Sequence, residues 1–348
     1  MKHMGRVLLA LAVATLAGAA FAAKPPAPMN YDGNPGGVRI LEQGQRPVVI
    51  YPTVEATKQW RAANPGLGNA PWGAAGKPAG STTSNNLLYN GGTGGIGVET
   101  APKVYLVIWG SQWNNNDPSG EVAILESFIG SVGSSSWFNS VTQYCQGVAS
   151  GTEFCNGAGT AAGNPPGIYQ GVFFDTGSAA PTHPKQSALA AEAVRAAQYF
   201  GNTAAGSNDS TQYVVATATG NSSSGFGRQY CAWHSSTSSS YGNVAYTNLP
   251  YITDAGSSCG ANFNGLGPDA GITIVGGHEL AETATDQFPS TGWLDANGSE
   301  NGDKCAWISS GQGASADVTF PNGTVFPVQS LWSNAFNSGA GGCVLSYP

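Results

Sequence analysis

The sequence predicts a mixed α/β domain, α+β in the order of its strands and helices, and three observations predict it. A continuous apolar run, Lys103-Val-Tyr-Leu-Val-Ile-Trp109, lies between Pro102 and Gly110, as in a strand buried on both faces. Apolar positions then recur at helical spacing at Val122, Leu125, Phe128 and Ile129, and the two textures alternate down the chain. Behind an N-terminal export signal, the six cysteines are an even number, which favours three disulfides over thiol chemistry.

Residues 1–22 read as the signal peptide: Lys2, His3 and Arg6 make a basic start, Val7 to Ala19 an apolar stretch, and Ala20-Phe-Ala22 a small-x-small cleavage site. Residues 23–95 are rich in Pro, Gly, Asn, Ala and Ser and read as a loosely ordered leader, within which Val38 to Ile40 and Val48 to Tyr51 have the character of short strands. Such a stretch is either a pro-segment that holds an exported hydrolase inactive or a linker. The catalytic-type domain is expected over residues 96–348, about 250 residues around one core.

Within that domain the strand at 103–109 comes first. Asp117-Pro118 offers a helix N-cap followed by Pro at the first helical position. Gly171 to Asp175 reads as a second strand, Ser187 to Phe200 as an alanine-rich helix, Thr211 to Ala216 as a third strand and Asn243 to Ile252 as a fourth. Serine patches at Ser222 to Gly225 and Ser235 to Ser240 read as surface loops. Asp269 is placed to cap a helix that runs through His278 to Asp286 and is stopped by Pro289.

That last helix carries the chemistry. Gly277-His278-Glu279-Leu-Ala-Glu282 puts His278 and Glu282 four residues apart, on one helical face and close enough to share a cation. Glu279 then sits beside the metal, as in the H-E-x-x-H helix of zinc peptidases, whose Glu is general base to a metal-activated water. Here a carboxylate replaces the second histidine. Charged residues are only 9% of the chain, yet His278, Glu279, Glu282, Asp286, Asp295, Glu300 and Asp303 crowd together with Lys304 as the one local cation. Clustered carboxylates raise one another's pKa unless a cation neutralises them, so the crowding itself argues for metal. A solvated helix face is the plain alternative.

The compartment and partners follow from charge and cysteine. Loss of Lys2 and Arg6 with the signal leaves 11 basic residues against 20 acidic, a net charge of −9, which disfavours a nucleic-acid partner. No later apolar run reaches about 18 residues, so no membrane span is expected after signal removal. The reading is a secreted monomer, extracellular or periplasmic. Six cysteines allow 15 pairings, and spacing does not choose among them. Sequential pairing, Cys145 with Cys155, Cys231 with Cys259 and Cys305 with Cys343, is the expectation.

Several ordered pieces resemble the phosphate-induced, exordium-like family of secreted proteins in its bacterial branch. They are Leu88-Tyr-Asn-Gly-Gly92, Val104 to Gly110, Tyr213-Val-Val215, Tyr230-Cys-Ala-Trp-His-Ser235, Gly277 to Glu282, Thr285-Asp286, Gly292-Trp-Leu-Asp295, Glu300-Asn-Gly-Asp-Lys-Cys305 and Cys343. The resemblance covers about residues 85–348. It departs at Asn301, where an apolar residue is common, and at Gln287, where Pro is common, and neither change removes a candidate ligand. The bacterial members that keep H-E-x-x-E look like zincin-type metallopeptidases, which implies a zincin-like single catalytic domain with a mixed sheet, a metal-binding helix and a third ligand downstream.

On that basis His278 and Glu282 are the first two metal ligands, with Asp303 favoured as the third and Glu300 close behind. Asp303 also fits a plain turn residue after Gly302. Glu279 is the expected general base, against a helix salt bridge. His234 is a further ligand or an oxyanion donor, or else a packed histidine beside Trp233. His183 reads as a loop residue, and no Gly-x-Ser-x-Gly elbow supports a serine triad. Two functions stand open: a zinc endopeptidase acting on a protein or peptide, or a non-catalytic wall-associated protein with a structural calcium or zinc ion.

Overall fold

Alternation in the strand at 103–109 sets the architecture. Val104, Leu106 and Ile108 belong to one apolar core and Tyr105 and Val107 to another, so this strand is covered on both faces. The computed structural model describes residues 36–63 and 85–348. The expected signal peptide, and residues 23–35 and 64–84 of the expected leader, lie outside the described residues.

Along the chain come β1 (Gly37–Arg39), β2 (Val48–Pro52) and α1 (Val54–Ala63), then β3 (Leu88–Tyr89), β4 (Lys103–Trp109) and α2 (Glu121–Val132). Two short strands, β5 (Cys145–Gln146) and β6 (Thr160–Ala161), precede β7 (Tyr169–Asp175), α3 (Gln186–Tyr199) and β8 (Thr211–Thr217). There follow β9 (Tyr230–Ser239), β10 (Gly242–Leu249) and the helix α4 (Ala270–Thr285). The C-terminal part holds β11 (Trp293–Leu294), β12 (Ala316–Thr319), β13 (Val325–Val328), β14 (Leu331–Ser333) and β15 (Gly342–Val344).

Seven strands make one mixed sheet in the order β1-β2-β9-β10-β8-β4-β7. Its β10, β8, β4 and β7 run parallel, while β9 is antiparallel to β10 and β2 antiparallel to β9. Helix α3 covers one face through Leu189, Ala193 and Ala197 against Tyr105, Tyr213 and Trp233. Helices α2 and α4 cover the other, where Leu125, Phe128, Leu280 and Ala281 meet Leu106 and Val214. The chain is thus a mixed α+β fold in three layers. Only Gly276 of α4 is not fully buried, because the helix is sandwiched between the sheet, α2 and β13.

Three disulfides join Cys145 to Cys155, Cys231 to Cys259 and Cys305 to Cys343, the sequential pairing. Among the described residues no helix is long and apolar enough to cross a membrane.

Some expectations are corrected. The boundary at residue 96 fails, because residues 36–63 and 85–95 belong to the body of the domain: Val48 to Tyr51 are almost wholly buried in the sheet, and Leu87 and Tyr89 in the core. The strand expected at Val48 to Tyr51 is present, but average composition hid that it belongs to the sheet. Ser235 to Ser239 are not a loop but the second half of β9, with Ser235 and Ser236 buried. At the start of α4, Asp269 holds the cap position without a side-chain hydrogen bond. The helix ends at Thr285, four residues before Pro289, where the Asp286 carboxylate accepts from the N–H groups of Ser290, Thr291 and Gly292. Asp117 and Pro118 are not the N-cap and first helical residue, since α2 starts at Glu121 behind Gly120, but the Asp117 carboxylate still accepts from Glu121 N–H (2.8 Å) and Val122 N–H (3.2 Å) across the intervening turn.

Candidate metal centre

Helical geometry delivers the first pair. His278 Nε2 and Glu282 Oε2 lie 3.0 Å apart on the buried face of α4. The chain then leaves the helix, turns at Asp286, and returns through Asp295, whose carboxylate accepts from Asn297 N–H (2.8 Å), Ser299 N–H (3.0 Å) and Lys304 Nζ (2.8 Å). That anchored loop places Glu300 and Asp303 over α4, and the Cys305–Cys343 disulfide fixes its far end. Asp303 N–H donates to Glu282 Oε1 (2.7 Å), and ligand atoms of His278, Glu282 and Asp303 lie within 4.8 Å of one another. Gly302 is needed here for closeness: a Cβ would sit 2.7 Å from His278 Nδ1 and 2.9 Å from Glu282 Oε1.

The structure also brings in His234 from β9. Its Nε2 lies 2.9 Å from Glu300 Oε2 and 3.6 Å from Glu282 Oε2, and it groups with Glu279 and Glu282. All six sequence-predicted residues, His234, His278, Glu279, Glu282, Glu300 and Asp303, therefore converge, and none is more than 1% exposed.

Three contributors escaped the sequence reading. Tyr51 of β2 stacks on His278 with ring centroids 3.7 Å apart, and Trp307 stacks on Tyr51 in turn. Gln329 Oε1 lies 3.3 Å from His278 Nδ1, while Gln329 Nε2 donates to Gly302 O (2.9 Å). Gly36 lies against Asp303, where a Cβ would come within 2.9 Å of Oδ1. Only Tyr51 left a trace, as the end of an apolar run. Gln329 and Gly36 carry no local signal, because their roles exist only through contacts between segments far apart in the chain.

Electrostatics sharpen the picture. Burial, then Glu282 and Asp303, push Glu279 well above the carboxylate range. Glu300 is raised by burial and then by Glu282 and Asp286, and Asp303 by burial and then Glu282. Burial acts the same way on Glu282, but His278 and His234 outweigh it and hold this carboxyl low. Lys304 does not neutralise the cluster: it is committed to Asp295 and lies over the Trp332 ring at 4.3 Å.

A cation fits this donor set. With Gln329 accepting from Nδ1–H, His278 points Nε2 at Glu282, where an ion would take the place of the proton between them. Asp303 Oδ1 and both oxygens of Glu279 are buried and have no hydrogen-bond partner, and His278 Nε2 meets only Glu282 Oε2. Acceptors facing one another without donors are costly to bury, and a divalent ion relieves that cost. Two imidazoles among the carboxylates suit zinc-type ions better than calcium, which takes oxygen ligands. No family model matches the chain, and neither the curated proteins nor the solved structures contain a match to it.

Proposed function

We propose that this is an exported metal-dependent peptidase of zinc type, with His278, Glu282 and Asp303 as ligands and Glu279 as general base. The observation that carries the reading is the buried group of His278, Glu282 and Asp303, whose ligand atoms lie within 4.8 Å of one another, with His278 Nε2 against Glu282 Oε2 at 3.0 Å and Asp303 Oδ1 without a hydrogen-bond partner. A zinc-type ion held there supplies Lewis acidity toward a carbonyl oxygen and toward water. Glu279, raised by its surroundings and free of hydrogen bonds, is suited to take up a proton and return it to a leaving amine. Glu300 holds His234 and leaves Asp303 as the better third ligand. The three disulfides and the ordered exordium-like motifs support an extracellular setting.

One observation favours a second reading, a non-catalytic exordium-like protein with a structural ion: the centre is wholly enclosed, with Tyr51 lying directly on His278. Metal analysis of purified protein combined with cleavage of a denatured protein substrate, before and after chelation, separates the two. Zinc near one per chain with chelator-sensitive cleavage supports the peptidase; bound metal without any cleavage, once the centre has been opened, supports the structural ion; absence of metal removes both.

A further inference from the structure

One side of the centre is closed by strand β2. Strand β2 lies antiparallel on β9, the strand that carries His234, with Val49 opposite His234 and Tyr51 opposite Ala232. Val49 and Tyr51 therefore face α4 and the acidic centre, while Val48 and Ile50 point into the core under α3. The neighbouring surfaces read the segment as a peptide. Gln186 Nε2 donates to Arg46 O (2.8 Å), Ser235 Oγ to Pro47 O (2.6 Å) and Trp307 Nε1 to Pro52 O (2.8 Å). The Arg46 guanidinium donates to Ser236 Oγ (3.1 Å), Ser238 Oγ (2.5 Å) and Asn243 Oδ1 (2.7 Å). Pro47 and Pro52 lack N–H donors and bracket the paired stretch. No disulfide holds it, since the first cysteine is Cys145.

We infer that β9 is a docking edge for an extended peptide, and that residues 46–52 of the chain occupy it as an intramolecular ligand that closes the acid-histidine centre. The site takes a strand by main-chain pairing, with a basic residue in the polar pocket of Ser236, Ser238 and Asn243 and an aromatic residue five positions later over His278. Of the serines that looked like loop, Ser235 pairs with Val48, and Ser236, Ser238 and Ser239 pair with β10. The inference rests on the proposed peptidase only for what displacement would open; the docking itself stands on the β2–β9 contacts.

The test uses the mature chain with a specific protease site introduced within residues 64–84, folded, purified and then cut. A fluorescein-labelled peptide of residues 45–53 is added in excess, and anisotropy, gel filtration and far-UV circular dichroism are followed. The expected result is saturable binding to the cut protein and none to the uncut, with release of the chain's own segment and a body that keeps its circular dichroism. A peptide carrying Arg46→Ala should bind about 10-fold more weakly or worse, since it loses hydrogen bonds from a charged donor. Failure of the peptide to enter the cut protein, or loss of the fold when the segment leaves, overturns the inference by making β2 an integral strand. Peptide binding by a cut, peptide-free protein that cleaves no denatured substrate leaves the docking intact and removes the peptidase, whereas full cleavage of that substrate by the uncut chain removes the closure by residues 46–52.

Discussion

Glu279 separates catalysis from simple metal holding. If it acts as a base, Glu279→Gln should keep fold and metal content while cutting proteolysis by about 100-fold or more relative to wild type, both with β2 displaced, read by single-turnover cleavage and metal analysis. Glu282→Gln should instead lose metal together with activity, because an amide oxygen is a poorer ligand than a carboxylate. His278→Ala should reduce bound zinc to background, and unchanged zinc in that variant would sink the assignment. Away from the centre, Glu99 is buried, accepts from Gln212 Nε2 (2.8 Å) and leaves Oε1 without a partner. Burial lifts its pKa from 4.5 to about 8 against the Gln212 hydrogen bond. The folded state thus holds that proton more tightly than the unfolded chain, a contribution complete below about pH 4.5 and lost as pH rises through about 8. Denaturant titrations across that window should show Glu99→Gln gaining stability relative to wild type toward high pH, with a slope of at most about 1.4 kcal/mol for each pH step of one. A parallel pH dependence in the two proteins would contradict it.

At the scale of elements, helix α2 depends on a cap lying four residues before its first helical residue. Asp117 accepts from two backbone N–H groups there and from Tyr251 Oη (2.8 Å), so Asp117→Ala should cost about 1–2 kcal/mol in chemical unfolding. A loss near zero would show that the turn through Gly120 holds the helix start by itself. The loop from Asp295 to Cys305 is the element that makes the centre, and the Cys305–Cys343 bond is its outer fastening. Replacing both cysteines by serine should lower stability by about 3–4 kcal/mol, as expected for closing a loop of this length, and should weaken metal retention as Asp303 loses its support. Stability lost with metal affinity unchanged would mean that Asp295 and its hydrogen bonds position Asp303 unaided.

For the whole molecule, the proposed ion would link the buried carboxylates to folding. An ion that binds only the folded state raises the melting temperature with its concentration, so chelation should lower the Tm of wild type and leave His278→Ala unmoved. Equal chelator shifts in both proteins would place the ion elsewhere. The enclosure by β2 makes a second demand on the molecule: activity on proteins requires a rearrangement that removes Tyr51 from His278, so wild-type protein with β2 seated should be inactive toward denatured substrates.

The sequence by itself determined the strands and helices whose apolar period is unbroken, the helix that presents His278 and Glu282 four residues apart, and the presence of Glu300 and Asp303 within reach. Those features are local, fixed by side-chain period and spacing. It also announced the β2 strand at Val48 to Tyr51, but the Pro- and Gly-rich composition around it assigned that strand to a leader rather than to the sheet. Only the tertiary structure decided that His234 joins the cluster, that Lys304 turns to Asp295 rather than to the acids, and that Tyr51, Gly36 and Gln329 enclose the site. Pairing between β2 and β9 joins segments far apart in the chain, and no periodicity within either strand encodes which edge it will cover.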